Sequence, residues 1–445
     1  MVTPGILIAA TGSGTGKTTI ATGLMGALSR TLTVAPFKVG PDYIDPSYHS
    51  LATGRPGRNL DSVMCPGLIG PLYTHGSAGA DIAVVEGVMG LFDGRIGAGA
   101  TGSSADIAAE LGLPILLIVD VRGMSQSVGA LVRGFATERS DIAISGVILN
   151  QVGSPRHEQV CRDAVEATGV PVVGAIPRVE KVEVPSRHLG LVTAEEHGDK
   201  ARMAVARMAD LVQEHCDLEL IRSIARCTYD GQTWDPAVAV EKQQPVRVAM
   251  ASGPAFTFAY AEHKELLEAA GATVVEFDPL TDGFPECEGL IIPGGFPEEH
   301  VEGLSSRVEL REAVRAHVAS GKPVHGECAG LLWLAQSLDA HPMLGIIDTH
   351  AAMGRRLTLG YRDAVALEDS VLYRAGERIT GHEFHHTALT APEATGFAPA
   401  WAWRAWDGTS KQEGFVQGNI HASYLHLHPA SCPQAVQRFV EACAQ

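Results

Sequence analysis

The sequence lacks the features that mark secreted, membrane-spanning or zinc-binding proteins. Its eight cysteines form no C-x-x-C pair, so neither a zinc knuckle nor a redox dithiol is expected. No apolar run approaches the roughly 18 residues that a membrane-spanning helix needs, and the first residues carry no basic region. We therefore expect a cytoplasmic protein with reduced thiols and no membrane partner.

Positive charge is also scarce. The chain has 34 lysines and arginines against 51 aspartates and glutamates, a net charge of −17 with histidine neutral. Because such a chain repels nucleic acid and anionic membrane surfaces, these partners are disfavoured. A local basic pocket can still bind an anionic substrate, so the charge does not exclude one.

Hydrophobic periodicity is present, and it divides the chain in two. The 445 residues suit two domains of about 200 residues each. Apolar strands alternate with helical segments in the first half, which predicts a parallel sheet covered on both faces. The predicted strands are residues 5–10, 33–39, 81–86, 114–121, 142–150 and 170–176, and the predicted helices include residues 18–29 and 156–167.

A stretch rich in Asp, Gly, Gln and Pro at residues 229–245 interrupts this pattern and is the predicted linker. We therefore predict one domain over residues 1–235 and another over residues 246–445. The second is also predicted to be α/β, with residues 343–420 as shorter β segments and loops. Its predicted strands are residues 246–251, 273–277, 289–292 and 323–325, and its predicted helices are residues 259–270, 307–319 and 432–444.

A glycine-rich turn between the first strand and the first helix, in GILIAATGSGTGKTT, indicates a phosphate-binding loop. Backbone N–H groups of such a turn bind phosphate oxygens, Lys17 would reach the β- and γ-phosphates, and Thr18 would hold magnesium. Thr11 stands where the strict pattern has its first glycine, and a chance lysine after a glycine-rich turn is the alternative. The candidate ATP-binding residues of the loop are Gly12, Gly14, Thr15, Gly16, Lys17, Thr18 and Thr19.

Acidic residues follow the next two predicted strands. PFKVGPDYIDP contains Lys38, Asp42 and Asp45, and VVEGVMGLFDG contains Glu86 and Asp93. Ligands bind at the carboxyl ends of the strands in an open parallel sheet, so these side chains should converge near the phosphate loop. Magnesium needs one or two such carboxylates beside the phosphates. Turn chemistry is the alternative, and it explains one cluster better than two.

The segment HGECAGL holds a second candidate site, because it follows an apolar strand and opens a helix. Gly326 and Gly330 flank Cys328 in the form of a nucleophile elbow, a sharp turn that exposes the side chain. A thiolate would be favoured there by the helix N-terminus. A buried structural cysteine is the alternative.

Thiol catalysis also needs a base and a site for an oxyanion. Three histidines in NIHASYLHLHP, at positions His421, His426 and His428, are candidates for the base, and their spacing alone does not choose among them. Gly294 and Gly295 in IIPGGFPEEH follow a predicted strand and are candidate backbone donors to an oxyanion.

Seven motifs in both halves together resemble one family. They are KVGPDYIDPSYH, TGRPGRNLD, EGVMGLFDG, PGGFPEEH, GECAGL, GHEFHH and ASYLHLH. In this order they resemble the glutamine-hydrolysing cobyrinic/hydrogenobyrinic acid a,c-diamide synthases. The first half resembles the dethiobiotin-synthetase-like branch of phosphate-loop enzymes, which also has threonine at the position of Thr11. The second half is similar to class I glutamine amidotransferase domains.

The resemblance implies a reaction in cobalamin biosynthesis. ATP, with Mg²⁺, would phosphorylate an acetate side chain of a corrinoid polycarboxylate, and ammonia released from L-glutamine would convert the acyl phosphate into an amide, on side chains a and c. A closed complex keeps ammonia unprotonated and the acyl phosphate away from water, so a passage between the two sites is predicted. A homodimer is also expected. The order of the two amidations stays open. The alanine- and glycine-rich composition indicates a GC-rich genome, which favours a metal-free ring over one that carries cobalt.

The resemblance also implies individual roles. Cys328 matches the thiol nucleophile, and His426 matches the histidine that activates it. The residues implied to hold the metal are Thr18, Asp42 and Glu86, and those implied to bind or activate the substrate are Lys38, Tyr43, Asp45 and Asp93. Asn150 resembles an asparagine that contacts adenine.

One departure from the ordinary pattern concerns the base. Ordinary members of the amidotransferase class read H-x-E, whereas the third position here is His428. What orients His426 is therefore open at this stage, and a backbone carbonyl is one candidate.

Several basic and aromatic residues are candidates for contact with the corrinoid. They are Arg55, Arg58, Arg355, Arg356, Arg362, Tyr260 and the group at residues 382–386. Arginines pair well with carboxylates, but solvated surface arginines and packed rings are the alternatives.

Three other functions remain in view. A cobyric acid synthase and a nickel-sirohydrochlorin a,c-diamide synthase share the domain types. A ParA-like ATPase switch shares the style of the phosphate loop but has no need of Cys328 or of the second domain.

Overall fold

The computed structural model describes residues 2–97, 99, 101–178, 186–187, 190–191, 198–390 and 396–445. It divides into two compact units, residues 1–234 and 235–445. The division falls inside the predicted linker, where residues Pro236–Ala239 form a short helix.

The first unit is built on a sheet of seven parallel strands, in agreement with the predicted parallel sheet. The strands are β1 Gly5–Ala10, β2 Val34–Val39, β3 Arg58–Leu60, β4 Ile82–Glu86, β5 Pro114–Asp120, β6 Ala143–Val152 and β7 Val172–Pro177. Their order in the sheet is β3-β2-β4-β1-β5-β6-β7. The carboxyl ends of β1, β2 and β4 are therefore neighbours, which brings the phosphate loop and both acidic segments to one edge.

Helices cover both faces of this sheet. They are α1 Lys17–Ser29, α2 Asp45–Thr53, α3 Ile69–Gly76, α4 Ser104–Leu111, α5 Ser127–Thr137, α6 Pro155–Glu166, α7 Asp199–His215 and α8 Leu218–Ile224. Two short strands, β8 Ser186–Arg187 and β9 Gly190–Leu191, pair with each other. The helix α1 lies close to α7, since a Cβ on Gly23 would come within 2.4 Å of the carbonyl oxygen of Met208. This contact fixes the helix that begins at the phosphate loop.

The second unit has its own central sheet. Its strands are β10 Val246–Ala251, β11 Ala272–Phe277, β12 Gly289–Ile292, β13 Val324–Glu327, β20 Phe415–Gln417 and β21 Ile420–Ser423, in the order β11-β10-β12-β13-β21-β20. All neighbours are parallel except β20 and β21. The strand predicted at residues 323–325 is β13, and it ends two residues later than predicted, at Glu327. The helices of this unit are α9 Pro236–Ala239, α10 Ala261–Ala269, α11 Val301–Ser306, α12 Val308–Ala319, α13 Ala329–Leu334 and α14 Pro433–Cys443.

A second sheet occupies the region predicted as shorter β segments, and here the prediction was wrong about length. Its strands are β14 Ala335–Leu338, β15 His341–Pro342, β16 Ile347–Ala366, β17 Arg378–Leu389, β18 Trp401–Arg404 and β19 Ser410–Glu413. The 20-residue strand β16 pairs in antiparallel register with the 12-residue β17. Two long partners satisfy each other's backbone groups, so polar residues and an internal glycine do not end the strand.

None of the described helices is long and apolar enough to cross a membrane.

Candidate functional site

Cys328 stands at a sharp turn between β13 and α13, and its backbone has the strained conformation of a nucleophile elbow. Its φ and ψ angles are 49° and −97°, in a region that side chains rarely adopt. A Cβ on Gly330 would lie 2.1 Å from the carbonyl oxygen of Ile292, and one on Gly326 would lie 2.6 Å from Leu334 Cδ1. Position 330 therefore requires glycine, whereas a side chain at position 326 would require Leu334 to move. The predicted elbow geometry is confirmed, whereas the catalytic role stays a prediction.

The thiol of Cys328 is buried, with 3% of the residue exposed. Burial raises the pKa of the Cys328 thiol well above its ordinary value, and the nearby carboxylates of Glu298 and Glu327 raise it further, while the N–H of Ala329 opposes them. The N–H at the start of α13 therefore favours the thiolate, as predicted, but desolvation outweighs it. A thiol in this position needs a base before it can attack.

His426 is held from both its side chain and its backbone. Its Nδ1 lies 2.8 Å from Oε1 of Glu327, and the ring is fully buried. Its backbone N–H donates to the carbonyl of His382 on β17, and the carbonyl of His426 accepts the N–H of His382, both at 2.9 Å. The candidate for orienting His426 was a backbone carbonyl; the structure places a carboxylate there instead.

The other two candidate histidines have different surroundings. His421, on β21, is buried and its ring packs near those of Trp401 and His325. Nδ1 of His428 accepts the backbone N–H of Ala430 at 3.3 Å.

The predicted oxyanion glycines lie beside His426. A Cβ on Gly294 would come within 2.5 Å of Cε1 of His426, and one on Gly295 would come within 2.2 Å of the carbonyl oxygen of Ala255. No other residue fits at either position without displacement of the imidazole or the backbone. The segment that begins at the end of β12 therefore lies next to both the elbow at Cys328 and His426.

In the first unit the phosphate loop has the backbone expected for a phosphate cradle. Gly14 and Gly16 adopt positive φ angles of 75° and 92°, which favour glycine. Lys17 is largely buried and donates from Nζ to the carbonyl oxygen of Met89 at 2.6 Å. Lys17 thus links the loop to the segment that follows β4.

Asn150 braces the phosphate loop. Its Nδ2 donates to the carbonyl oxygen of Thr15 at 2.8 Å, and its Oδ1 accepts the backbone N–H of Gln151 at 2.9 Å. A Cβ on Gly16 would lie 2.4 Å from the same Nδ2. The amide of Asn150 therefore helps to shape the loop, and its predicted contact with adenine stays a prediction.

A buried cluster of charged side chains lies next to Thr18. The hydroxyl of Thr18 is 2.7 Å from Oε1 of Glu86 and 3.2 Å from Oδ2 of Asp45. Nζ of Lys38 contacts the same two carboxylates, at 2.5 Å from Asp45 and 2.9 Å from Glu86. Oδ1 of Asp42 instead accepts backbone N–H groups at the start of α2, so Asp45 rather than Asp42 is the neighbour of Thr18.

The charges in this cluster shift one another's ionisation. Burial would lower the pKa of Lys38, but the carboxylates of Asp45 and Glu86 outweigh it and raise that pKa. Burial opposes ionisation of Glu86, yet Lys38 and His49 bring its pKa well below the usual range. Burial, with the nearby carboxylate of Asp42, raises the pKa of Asp45 to about 8. Positive charge placed next to Asp45 would favour its ionised form.

His49, on α2, is a member of this cluster that the sequence reasoning missed. Its Nε2 lies 2.7 Å from Oε2 of Glu86, and both side chains are fully buried. His49 is the last residue of the motif KVGPDYIDPSYH, and its place in that motif was the one feature of the sequence that pointed to it. Helix α2 carries Asp45 and His49 one turn apart, so that they approach Glu86 together.

The donors present fit magnesium beside a nucleotide. Among the described residues no group of three or more His, Cys, Asp and Glu side chains is arranged to hold a metal alone. The hydroxyl of Thr18 lies within 3.2 Å of one carboxylate oxygen of Asp45 and one of Glu86. Mg²⁺ prefers such oxygen ligands and completes its shell with phosphates and water.

Three of the residues predicted to bind the corrinoid also make contacts within the protein. Nη2 of Arg55 donates to the carbonyl oxygens of Gly76 and Ala78, where α3 ends. Nε of Arg362 donates to Oε2 of Glu383 at 2.5 Å. Tyr260 is buried with its ring centroid 4.3 Å from that of His428. Their contact with the ring stays a prediction.

The remaining predicted residues lie at the first unit's sheet edge. Oδ2 of Asp93 accepts the N–H of Gly90 at 2.8 Å, in a segment that approaches Gly12. Tyr43 is buried at the start of α2, and Arg58 begins β3, with its Cδ 2.6 Å from a Cβ placed on Gly76. Asp93 thus lies in a segment that approaches the phosphate loop.

The fold and the sites define a class of protein: a phosphate-loop nucleotide-binding domain joined to a glutamine amidotransferase domain with a cysteine elbow. Family models agree. Residues 6–192 match the CobQ/CobB/MinD/ParA nucleotide binding domain, and residues 247–433 match the CobB/CobQ-like glutamine amidotransferase domain.

Curated relatives cover nearly the whole chain. A hydrogenobyrinate a,c-diamide synthase of Mycobacterium tuberculosis (strain H37Rv) is 55% identical over 444 residues, which cover 98% of this chain and 97% of the relative. One of Streptomyces coelicolor is 51% identical, with 99% and 97% covered. A cobyrinate a,c-diamide synthase of Gloeobacter violaceus is 41% identical, with 98% and 96% covered. The chain belongs to the hydrogenobyrinate/cobyrinate a,c-diamide synthase family, and it is a glutamine-dependent, ATP-using amide-forming ligase.

Proposed function

We propose that this protein amidates the a and c acetate side chains of hydrogenobyrinic acid, the metal-free ring, with ATP and glutamine. The observation that carries the choice of ring is the ranking of relatives. Those named for hydrogenobyrinate are 45–55% identical to this chain, whereas those named for cobyrinate are 39–41% identical. This chain, with its two domains, covers 96–98% of the length of each of these relatives, so a ParA-like switch, which needs only the first domain, has no support.

In the glutaminase half, His426 acts as the base that the buried thiol of Cys328 requires. It takes the thiol proton at Nε2, and the sulfur attacks the side-chain carbonyl carbon of glutamine. Backbone N–H groups at Gly294 and Gly295 stabilise the oxyanion. The carbon–nitrogen bond breaks as His426 returns the proton to the leaving ammonia, and water then hydrolyses the thioester to release glutamate.

In the ligase half, the phosphate loop and Lys17 hold the phosphates of ATP. An acetate oxygen of the ring attacks the γ-phosphorus, which gives ADP and an acyl phosphate. Ammonia then attacks the carbonyl carbon and inorganic phosphate leaves. In this proposal Lys38, which pairs with Asp45 and Glu86, attracts the substrate carboxylate.

Magnesium, held by Thr18, Asp45 and Glu86, would supply positive charge to the phosphates. We place Asp45 in this set instead of Asp42, because Oδ2 of Asp45 lies next to the hydroxyl of Thr18 and Asp42 is occupied with the start of α2. Asp42 then shapes the turn that presents Asp45.

The cellular setting and assembly state also belong to the proposal. All eight cysteines are free, which suits the reducing cytoplasm, and we propose that the protein works there as a homodimer. Sedimentation of the purified protein at several concentrations tests the dimer: a mass of twice 46.9 kDa is expected, and a mass of 46.9 kDa at all concentrations would contradict it.

A direct assay tests the substrate. Purified protein is given ATP, magnesium and glutamine with either the metal-free or the cobalt-containing ring, and products are separated by chromatography and weighed by mass spectrometry. We expect the metal-free ring to gain two amides and the cobalt ring to react more slowly. Equal or faster use of the cobalt ring would assign the protein to cobyrinate instead.

A further inference from the structure

The position that carries glutamate in the H-x-E pattern has a different use in this chain. His428 is fully buried, and its Nδ1 accepts the backbone N–H of Ala430, which caps the turn at Pro429–Ser431. Its ring centroid lies 4.3 Å from that of Tyr260. His428 is thus built into the turn that follows the base, and a carboxylate for His426 has to come from another element.

A carboxylate does reach His426, from the residue that precedes the nucleophile. Oε1 of Glu327 lies 2.8 Å from Nδ1 of His426, and Oε2 accepts the backbone N–H of Leu427 at 3.4 Å. The side chain of Glu327 is 12% exposed and that of His426 is fully buried. The two oxygens of one carboxylate therefore contact two consecutive residues of the segment that carries the base.

The sheet fixes this contact in place. Glu327 is the last residue of β13, which pairs in parallel with β21 so that Glu327 is opposite Ser423. The N–H of Cys328 donates to the carbonyl of Ser423 at 2.7 Å, and the backbone of His426 is paired with that of His382. Nucleophile, carboxylate and base are each fixed by backbone hydrogen bonds, so their spacing does not depend on a mobile loop.

We propose that Glu327 is the residue that orients the catalytic base, in place of the absent H-x-E carboxylate. The proposal rests on the proposed function of Cys328 and His426. A carboxylate at 2.8 Å from Nδ1 keeps the proton on that nitrogen and leaves the lone pair on Nε2, which is the nitrogen that must accept the thiol proton. The carboxylate of Glu327 then stabilises the imidazolium that forms. It is a positioning residue, since it acts through His426.

This arrangement places the carboxylate on a different segment of the chain from the base. In H-x-E the histidine and the carboxylate belong to one segment, so that segment sets their geometry. Here Glu327 ends β13 and Cys328 follows it directly, so any movement of β13 changes both together. His426 follows β21, the neighbouring strand, so the three groups form a unit at the ends of two adjacent strands.

Replacement of the carboxylate by an amide of the same shape tests the proposal. Glu327→Gln should lower kcat for glutamine hydrolysis by about 10²-fold or more while KM for glutamine changes less than about threefold. Synthesis driven by added ammonia should stay within about twofold, since it does not use the base. Glu377→Gln, which removes a carboxylate paired with Arg438 in the same unit, is the matched control.

The outcomes separate cleanly. Glutamine hydrolysis by Glu327→Gln within about threefold of the parent kcat overturns the proposal, as does a parallel loss of the ammonia-driven rate, which would mean that Glu327 supports the fold. Cys328→Ser is assayed beside it. If Cys328→Ser still hydrolyses glutamine, the proposed function itself fails; if it is inactive and Glu327→Gln is not impaired, only the role of Glu327 fails.

Discussion

Glu327 and His426 are 99 positions apart in the chain, yet Oε1 of one lies 2.8 Å from Nδ1 of the other. The contact exists because β13 and β21 are adjacent in the central sheet of the second unit. It joins the residue before the nucleophile to the base, and it replaces a contact that relatives of the H-x-E type make within one segment.

A carboxylate in the H-x-E position should substitute for the one on β13. We expect His428→Glu in a Glu327→Gln background to recover at least about tenfold of the lost glutaminase kcat, because the new carboxylate follows the base by two residues. Steady-state rates of glutamate release measure it, with His428→Gln in the same background as control. Equal rates in the two double variants would mean that a carboxylate at position 428 does not replace the one at position 327.

Loss of His49 should weaken the use of magnesium. The side chain fixes Glu86 from the side opposite Thr18, and loss of such outer partners costs about 10–100-fold in metal affinity or activity. His49→Phe is therefore expected to need about 10-fold or more magnesium for half-maximal synthesis. Glutaminase activity should be unchanged. His157→Gln, at a histidine that contacts Met124, is the control. A magnesium requirement like that of the parent would contradict this role.

Asn150→Ala should impair ATP binding while leaving glutamine hydrolysis intact. It removes the hydrogen bond to Thr15 that braces the phosphate loop, a contact worth about 1 kcal/mol, so KM for ATP should rise about fivefold. The comparison of ATP with GTP adds a second readout. A loop brace affects both nucleotides alike, whereas a contact with adenine would make the loss larger for ATP.

The elbow should tolerate no side chain at position 330. A Cβ there would lie 2.1 Å from the backbone oxygen of Ile292, so Gly330→Ala is expected to destabilise the second unit by about 1–3 kcal/mol. Gly283→Ala, with nothing within 4 Å of its added Cβ, is the matched control. Urea unfolding followed by tryptophan fluorescence measures both, and equal midpoints for the two variants would contradict the steric argument.

The free energy of unfolding of the second unit should decrease in mild acid, because some of its buried histidines are neutral in the folded state. Burial lowers the pKa of His421 to about 4, below its unfolded value of about 6.5. Its contribution is therefore present above about pH 6.5 and is lost as the pH falls towards 4, because the unfolded chain binds the proton first.

The size of this effect is open to direct measurement. Between about pH 7.5 and about pH 5, His421 alone accounts for about 2 kcal/mol of the free energy of unfolding. His421→Gln should reduce the difference between the two pH values by that amount in urea unfolding. An unchanged difference would mean that His421 is not a source of the acid sensitivity.

Local patterns predicted the parts of the protein that local geometry determines. The phosphate loop needs glycines at positive φ between a strand and a helix, and the elbow needs small residues around Cys328, so both are visible within a few positions. The alternation of apolar strands with helices likewise predicted the parallel sheet of the first unit, since burial on both faces leaves a continuous apolar run.

The contacts that sequence reasoning missed are those made between strands or across a helix turn. Glu327 was not among the candidate residues, because its partner His426 lies 99 positions away, beyond the end of β21. The contact of Asp45 with Thr18 arises because α2 begins at Asp45, which leaves Asp42 to accept the first N–H groups of the helix. The contacts of Arg55 with the end of α3 and of Arg362 with Glu383 are likewise fixed only by the fold.

The most direct test of the coupled ligase is the Cys328→Ser protein supplied with either glutamine or ammonium salt. We expect no detectable diamide from glutamine and a rate with ammonia within about twofold of the parent, because only the first step uses the thiol. Undiminished synthesis from glutamine would contradict the assignment of Cys328 as the nucleophile and, with it, the coupling of the two units' chemistry.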